Sequence, residues 1–309
     1  MRVLSGRNLA LLAFTILAFV GTIALSDHIR SNRITVPESY SDEDLDLQGK
    51  RLKGYSLGAE GLIADWYWMR SLQYVGDKIV NAKEETINID DLNSLNPRLL
   101  YPLLDNATDL DPKFINAFVY GAVVLPTVDP NLAIKLTEKG IAQNPDEWRL
   151  YQYLGFIYWK LKQYDKAADV YERGSKVPGA PPFLKLMAGM METRGGGRDA
   201  ARTIYGDMYK NGSDSWTQHI AELRLQWLDS LDERDVLDAA LASYKKTNAR
   251  CAANFSEILP ILRTTPYPAG VDIKLDRSGQ IIDPSGAPYT IDQNKCVSSL
   301  GPDSQLPKD

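Results

Sequence analysis

From Asn8 to Ser26 the chain is uncharged and consists mostly of Leu, Ala, Ile, Phe and Val. As a helix this run would be about 28 Å long, enough to reach across a hydrocarbon core. Residues 8–26 are therefore predicted to form a transmembrane anchor. Leu57 to Val75 has the spacing of an amphipathic helix, with Leu62, Trp66, Met69 and Tyr74 on the face expected to pack. Arg98 to Leu110 predicts another helix, closed by Asp111-Pro112, and further paired segments follow, the last being Trp216–Leu228 and Arg234–Lys246. Beyond them Pro260, Pro266 and Pro268 break helix, and Val271–Leu275 alternates like a strand. Asp276–Gly279 signals a turn and Gln280–Ile282 returns. The tail after Ser299 is expected to be disordered.

A 34-residue period underlies the middle of the chain. Gly121, Gly155 and Gly189 share one column, and Ala133, Ala167 and Ala201 share a second. Gly140, Gly174 and Met208 form a third, and Thr137, Tyr171 and Tyr205 a fourth. With glycine near 7% of residues, two further hits at fixed offsets have a chance of roughly half a percent per column. A fixed period of this length means stacked supersecondary units.

The middle copy reads Tyr151-x-x-Leu154-Gly155-x-x-Tyr158, then Ala167-x-x-x-Tyr171, then Pro178-Gly179. It resembles the tetratricopeptide repeat (TPR), with Tyr151 and Tyr171 standing where the family has Trp and Phe. Neighbouring copies keep Tyr120-Gly121, Ala133, Gly140 and Pro145 on one side, and Ala188-Gly189, Ala201 and Tyr205 on the other. The resemblance implies an all-α fold: a TPR-like helical-hairpin superhelix (α-solenoid), here with an N-terminal transmembrane helix and a small C-terminal β-hairpin module. Gly155 and Ala167 are expected to be small because two helices cross there, and Tyr158 and Tyr171 to fill the space between units. Gly195-Gly196-Gly197 is read as a turn, because no Lys-Ser/Thr follows it and no strand precedes it.

These readings divide the chain as follows. Residues 1–7 form a cytoplasmic N-terminus, 8–26 the anchor and 27–50 an acidic linker. Residues 51–113 form a divergent first unit with an insertion at 77–97. Repeats occupy 114–147, 148–181 and 182–215, and 216–258 is a divergent unit or cap, as terminal units usually are. Residues 259–299 form the hairpin module and 300–309 the tail. Within the module, Asp283-Pro284-Ser285-Gly286-Ala287-Pro288-Tyr289 looks like a loop near the ends of some type II secretion pseudopilins. No function is carried over from it.

Charge and composition narrow the chemistry. The net charge is −5 and no basic stripe appears, which argues against a nucleic-acid surface. The two histidines, His28 and His219, lack ligand-spaced neighbours, so no metal and no cofactor are predicted. Cys251 and Cys296 are the only cysteines, and they either pair in an oxidising compartment or stay as separate thiols. The short N-terminal side of the anchor favours a single-pass inner-membrane protein with a periplasmic body. Ala24-Leu25-Ser26 also allows a cleaved signal peptide and a secreted or periplasmic product. A cytoplasmic body stays open as well.

In the TPR family the concave groove commonly binds a segment of a partner protein. The groove positions implied here are Ile115, Phe118 and Ala122, then Arg149, Gln152, Phe156 and Trp159, then Phe183, Leu186 and Met190. This mostly apolar and aromatic set points to a hydrophobic partner segment. The expected function is a membrane-anchored scaffold or assembly factor of the bacterial envelope, contacting other proteins, and the lipid bilayer through residues 8–26. A structural subunit of a membrane complex is the alternative. An envelope enzyme would have to use acid pairs such as Glu84/Glu85 or Asp90/Asp91, which no base, nucleophile or metal set accompanies.

Overall fold

The computed structural model describes residues 6–31, 49–82 and 87–308, with side chains in the first stretch given for 14–28. The expected N-terminal segment 1–5, most of the linker and Glu84/Glu85 lie outside the described residues. The chain divides into two units, 1–47 and 48–309. The described part of the first is helix α1, Gly6–Ser31. Among its described side chains the large apolar ones, including Phe14, Leu17, Phe19 and Val20, are exposed. Among the described residues no helix is long and apolar enough to cross a membrane.

The second unit is predominantly helical. It comprises α2 (Gly49–Leu52), α3 (Glu60–Val80), α4 (Leu100–Leu110), α5 (Ile115–Val124), α6 (Pro130–Gln143) and α7 (Trp148–Lys160). It continues with α8 (Tyr164–Ser175), α9 (Phe183–Arg194), α10 (Arg198–Asn211), α11 (Ser215–Asn248) and α12 (Leu259–Thr264). From α3 to α11 each helix packs against its neighbour in sequence, and α5 also reaches α7. Local chemistry sets the boundaries. Asp129 caps α6, accepting from Asn131 N, with Pro130 in the first turn; Asp214 caps α11, accepting from Thr217 N at 2.8 Å. The glycine run 195–197 is the turn between α9 and α10, and Gly196 adopts φ +88° there.

The periodic small residues lie at helix crossings. Gly121 faces Leu136, Gly155 faces the Tyr171 ring and Gly189 faces the Tyr205 ring. Gly140 lies under the Phe118 ring, and Gly174 against Tyr151. Ala133, Ala167 and Ala201 are fully buried beside them. Tyr171 therefore fills the crossing inside its own α7–α8 pair, where the sequence reading had it between units. Tyr158 does link neighbouring pairs, its hydroxyl donating to Glu138 of α6 at 3.1 Å.

Three further expectations, all about the helices, are corrected. Helix α3 buries Ala64, Tyr67, Ser71, Tyr74 and Val75, whereas Leu62, Trp66 and Met69 are exposed on the opposite side. Both faces of this helix are apolar, so periodicity alone could not choose between them. The small Ala64 and Ser71 decide it, because they permit close approach to α4. The same helix runs on to Val80, into the segment expected as insertion. Finally, 215–248 is one unbroken helix and not a pair. Residues 229–233 contain no Gly or Pro, and the carboxylates of Asp229 and Asp232 are neutralised from α10. Arg198 bridges Asp232 and Asp235 at 2.6 Å each, and Arg202 pairs with Asp229 and Asp232.

The C-terminal half of α11 supports the last segment. Strands β1 (Lys274–Leu275) and β2 (Ile281–Ile282) pair antiparallel, as do β3 (Thr290–Asp292) and β4 (Val297–Ser299). Ile281, Tyr289 and Cys296 join Val236, Leu237, Ala240, Leu241 and Leu262 in one core. Cys251 and Cys296 are disulfide-bonded, with Cα atoms 5.7 Å apart. Tyr289 donates its hydroxyl proton to Glu233 Oε2 at 2.7 Å inside this core, and burial pushes the Glu233 carboxyl up to about 7. The expected disordered tail is instead packed over 300–308. Leu306 is buried with Tyr205, Trp227 and Leu228, Ser304 donates to Asp283, and Gly301 presses on the Pro288 carbonyl. Leu300 and Leu306 each meet a core cluster of the body, which adds apolar burial to these contacts.

Candidate partner-binding surface

Helix α7 carries Trp148, Gln152, Phe156 and Trp159 at intervals of four, four and three, which places them along one side. Helix α9 carries Phe183, Leu186, Met190 and Arg194 with the same property. Opposite sides of both helices are buried: Leu150, Leu154 and Ile157 on α7, and Leu184, Ala188 and Met191 on α9. What remains outward is aromatic. Phe156 is 42% exposed and Phe183 37%.

These rings form two edge-to-face pairs. Trp148 of α7 meets Phe183 of α9 with centroids 6.4 Å apart and planes at 81°. Phe156 meets Trp159 at 5.7 Å and 83°. Such geometry sets the positive edge of one ring against the negative face of the other. A cation stands beside three of the four rings. Arg149 stands 4.7 Å from the Trp148 centroid, Lys160 5.6 Å from Phe156, and Arg194 of α9 5.6 Å from Trp159. Helices α7 and α9 are thus laced at two places, by Trp148–Phe183 and by Trp159–Arg194. Along α7 the strip is about 16 Å long. It can accept apolar side chains on half-exposed, pre-packed rings, and the three cations beside them favour acidic neighbours on the ligand.

The sequence-implied groove residues divide into three groups. Phe118 is fully buried against Gly140 and offers no surface, and Ala122 is also buried. The Phe118 expectation is therefore corrected: the ring serves the α5–α6 crossing, because Gly140 leaves it a socket. Ile115 is half-buried. Leu186 is half-buried against the Tyr205 cluster, so it contributes only an edge. Arg149, Gln152, Phe156, Trp159, Phe183 and Met190 remain partly or fully accessible. Arg149 is also ion-paired to Glu147 at 3.0 Å.

Trp148, Lys160 and Arg194 escaped the sequence reading. Lys160 and Arg194 are 34 residues apart, so the period itself held that signal. Trp148 had a weaker one, four residues before Gln152 and eight before Phe156.

Of the acid pairs named for an enzyme, only Asp90/Asp91 lies among the described residues. Asp91 accepts from Asn93 N and caps the turn Leu92–Leu95, and Asp90 is exposed beside it. Among the described residues no group of three or more His, Cys, Asp or Glu is placed to hold a metal ion. No family model matches the chain, and no curated protein matches it.

Proposed function

We propose that this chain is a membrane-anchored, TPR-like scaffold that captures a segment of another protein on the aromatic strip of α7 and α9, without chemistry of its own. The observation that carries it is the strip itself. Two ring pairs and three ring-bound cations stay accessible on adjacent first helices of consecutive repeat units. An apolar segment with acidic neighbours is the matching ligand. The recurring crossings of glycine with Leu136, Tyr171 and Tyr205 support the stacked-hairpin superhelix, in which such first helices line the concave side.

The anchor is assigned to the uncharged run 8–26, which lies within helix α1 and whose described side chains are exposed on all sides. The Cys251–Cys296 bond supports a body in an oxidising compartment, the periplasmic side of the inner membrane. Alkaline-phosphatase fusion after residue 40 tests this topology, and an active fusion is expected.

The strip is tested by photocrosslinking in intact cells. A photoreactive residue at Phe156 or Phe183 is expected to yield a discrete crosslinked protein, whereas one at Lys162 in the α7–α8 turn is not. Phe156→Ala with Trp159→Ala should abolish the product formed from position 183 and leave the melting temperature within a few degrees. Undiminished crosslinking in that double variant overturns the assignment.

A further inference from the structure

Three carboxylates hold the C-terminal segment together and onto α11, and they differ in how many donors meet them. Asp283, 2% exposed, accepts from Ser285 N at 2.8 Å, from Ala287 N at 3.0 Å and from the hydroxyls of Ser285 and Ser304. Asp238 on α11 accepts from Ser298 N and Oγ at 2.5 and 2.7 Å. Glu233, earlier on α11 and 7% exposed, meets one donor among the described residues, the Tyr289 hydroxyl at 2.7 Å. A buried carboxylate with one neutral donor is poorly compensated when ionised, and far less so when protonated. The charges around it leave that balance in place. Asp229 on α11 and Asp283 beyond β2 oppose ionisation, and Asp229 is itself paired with Arg202 of α10. Lys274 of β1 favours ionisation from an exposed position, and Arg234 acts on Tyr289. Burial dominates, holding the Glu233 carboxyl at about 7 and pushing the Tyr289 phenol up beyond its ordinary value.

Tyr289 is also where the rest of the segment attaches. Its N–H donates to the Ile281 carbonyl at 3.0 Å, its ring lies in the core with Leu237 and Leu241, and Gly301 of the tail presses on the carbonyl of Pro288 beside it. Withdrawal of that ring frees 283–290 and the tail together, whereas Cys296 stays bonded to Cys251. We infer that Glu233 and Tyr289 form a pH-operated latch: protonated Glu233 holds residues 283–290 and the tail 300–308 on α11, and ionised Glu233 lets them open while the disulfide keeps the segment tethered. In the open state Glu233 meets water and returns to the ordinary 4.5. Opening is therefore rarest below that value and grows as pH rises towards 7, above which the closed state ionises too and the response flattens. Each opening uncovers the part of the Tyr205–Trp227 cluster on which Leu306 rests.

Hydrogen exchange of the full chain in detergent, corrected for intrinsic rates, reads the opening equilibrium region by region. Between pH 6 and pH 8 the opening of 283–290 and 300–308 should increase about tenfold, with α5–α10 unchanged. Glu233→Gln cannot ionise and should abolish the increase. Tyr289→Phe keeps the acid and removes its donor, so the increase should persist and extend to higher pH. A rise of equal size in α5–α10, or one that survives in Glu233→Gln, overturns the latch. A flat response in the wild-type chain or in Tyr289→Phe overturns it as well.

Discussion

Gly155 on α7 faces the ring of Tyr171 on α8 so closely that a methyl group there would stand 2.7 Å from the ring carbons. Thirty-four residues later, Gly189 and Tyr205 repeat the arrangement on α9 and α10. A column of glycines in the sequence is thus, in space, a column of sockets for the aromatic or aliphatic residue of the second helix. The strip above α7 and α9 is held in place by these sockets, because they fix how far each helix stands from its partner.

Substitution at a socket should therefore oppose helix propensity. Gly155→Ala gains about 1 kcal/mol of intrinsic helix preference but forces the Tyr171 ring aside, and a net loss of about 1–3 kcal/mol is expected. Gly206→Ala on α10 has open space within 4 Å and should stabilise by about 0.5–1 kcal/mol. Urea denaturation of both variants checks the contrast. Equal shifts in the same direction would mean that the crossing has slack.

Glu233 predicts how stability depends on pH. Its carboxyl is raised by burial from 4.5 to about 7. Between those values the folded chain keeps a proton that the unfolded chain has released. Stability contributed by the neutral acid is therefore intact below 4.5 and is lost as pH rises through 7. Glu233→Gln preserves an acceptor for the Tyr289 hydroxyl and cannot ionise. The variant should match the parent near pH 5 and exceed it by about 1–3 kcal/mol at pH 8. Melting curves at the two pH values measure this, and a constant difference between them would contradict it.

The disulfide closes a loop across a sequence separation of 45, worth about 4 kcal/mol in the chain-entropy account. Replacing Cys251 and Cys296 with serine should loosen the C-terminal segment while α5–α10 stay folded. Hydrogen exchange is expected to rise over 250–308, with α5–α10 unchanged. Loss of protection spread evenly across both regions would show that the disulfide holds the helical array itself together.

Much of this was legible in the chain beforehand. The 34-residue spacing located every helix from α5 to α10, because a small residue at a helix crossing is a local requirement that repeats with the unit. The glycine turn at 195–197 and the turn at Asp276–Gly279 are equally local, depending on side chains within a few residues. Most of the residues on the accessible strip of α7 and α9 had been named from the family resemblance.

Other features depend on contacts that the chain makes with itself over long distances. Whether α3 packs through Tyr67 or through Trp66 is settled by the surface α4 offers, and both faces of α3 carry apolar residues. Whether 229–233 bends is settled by Arg198 and Arg202 on α10. Whether the tail packs depends on a socket beside Tyr205 that lies about a hundred residues earlier. Periodicity encodes backbone geometry and the small residues it demands, and these are properties of neighbours in sequence. Which of two apolar faces is buried, and where a charged or terminal segment comes to rest, depends on which complementary surface becomes available, and only the folded arrangement supplies that surface.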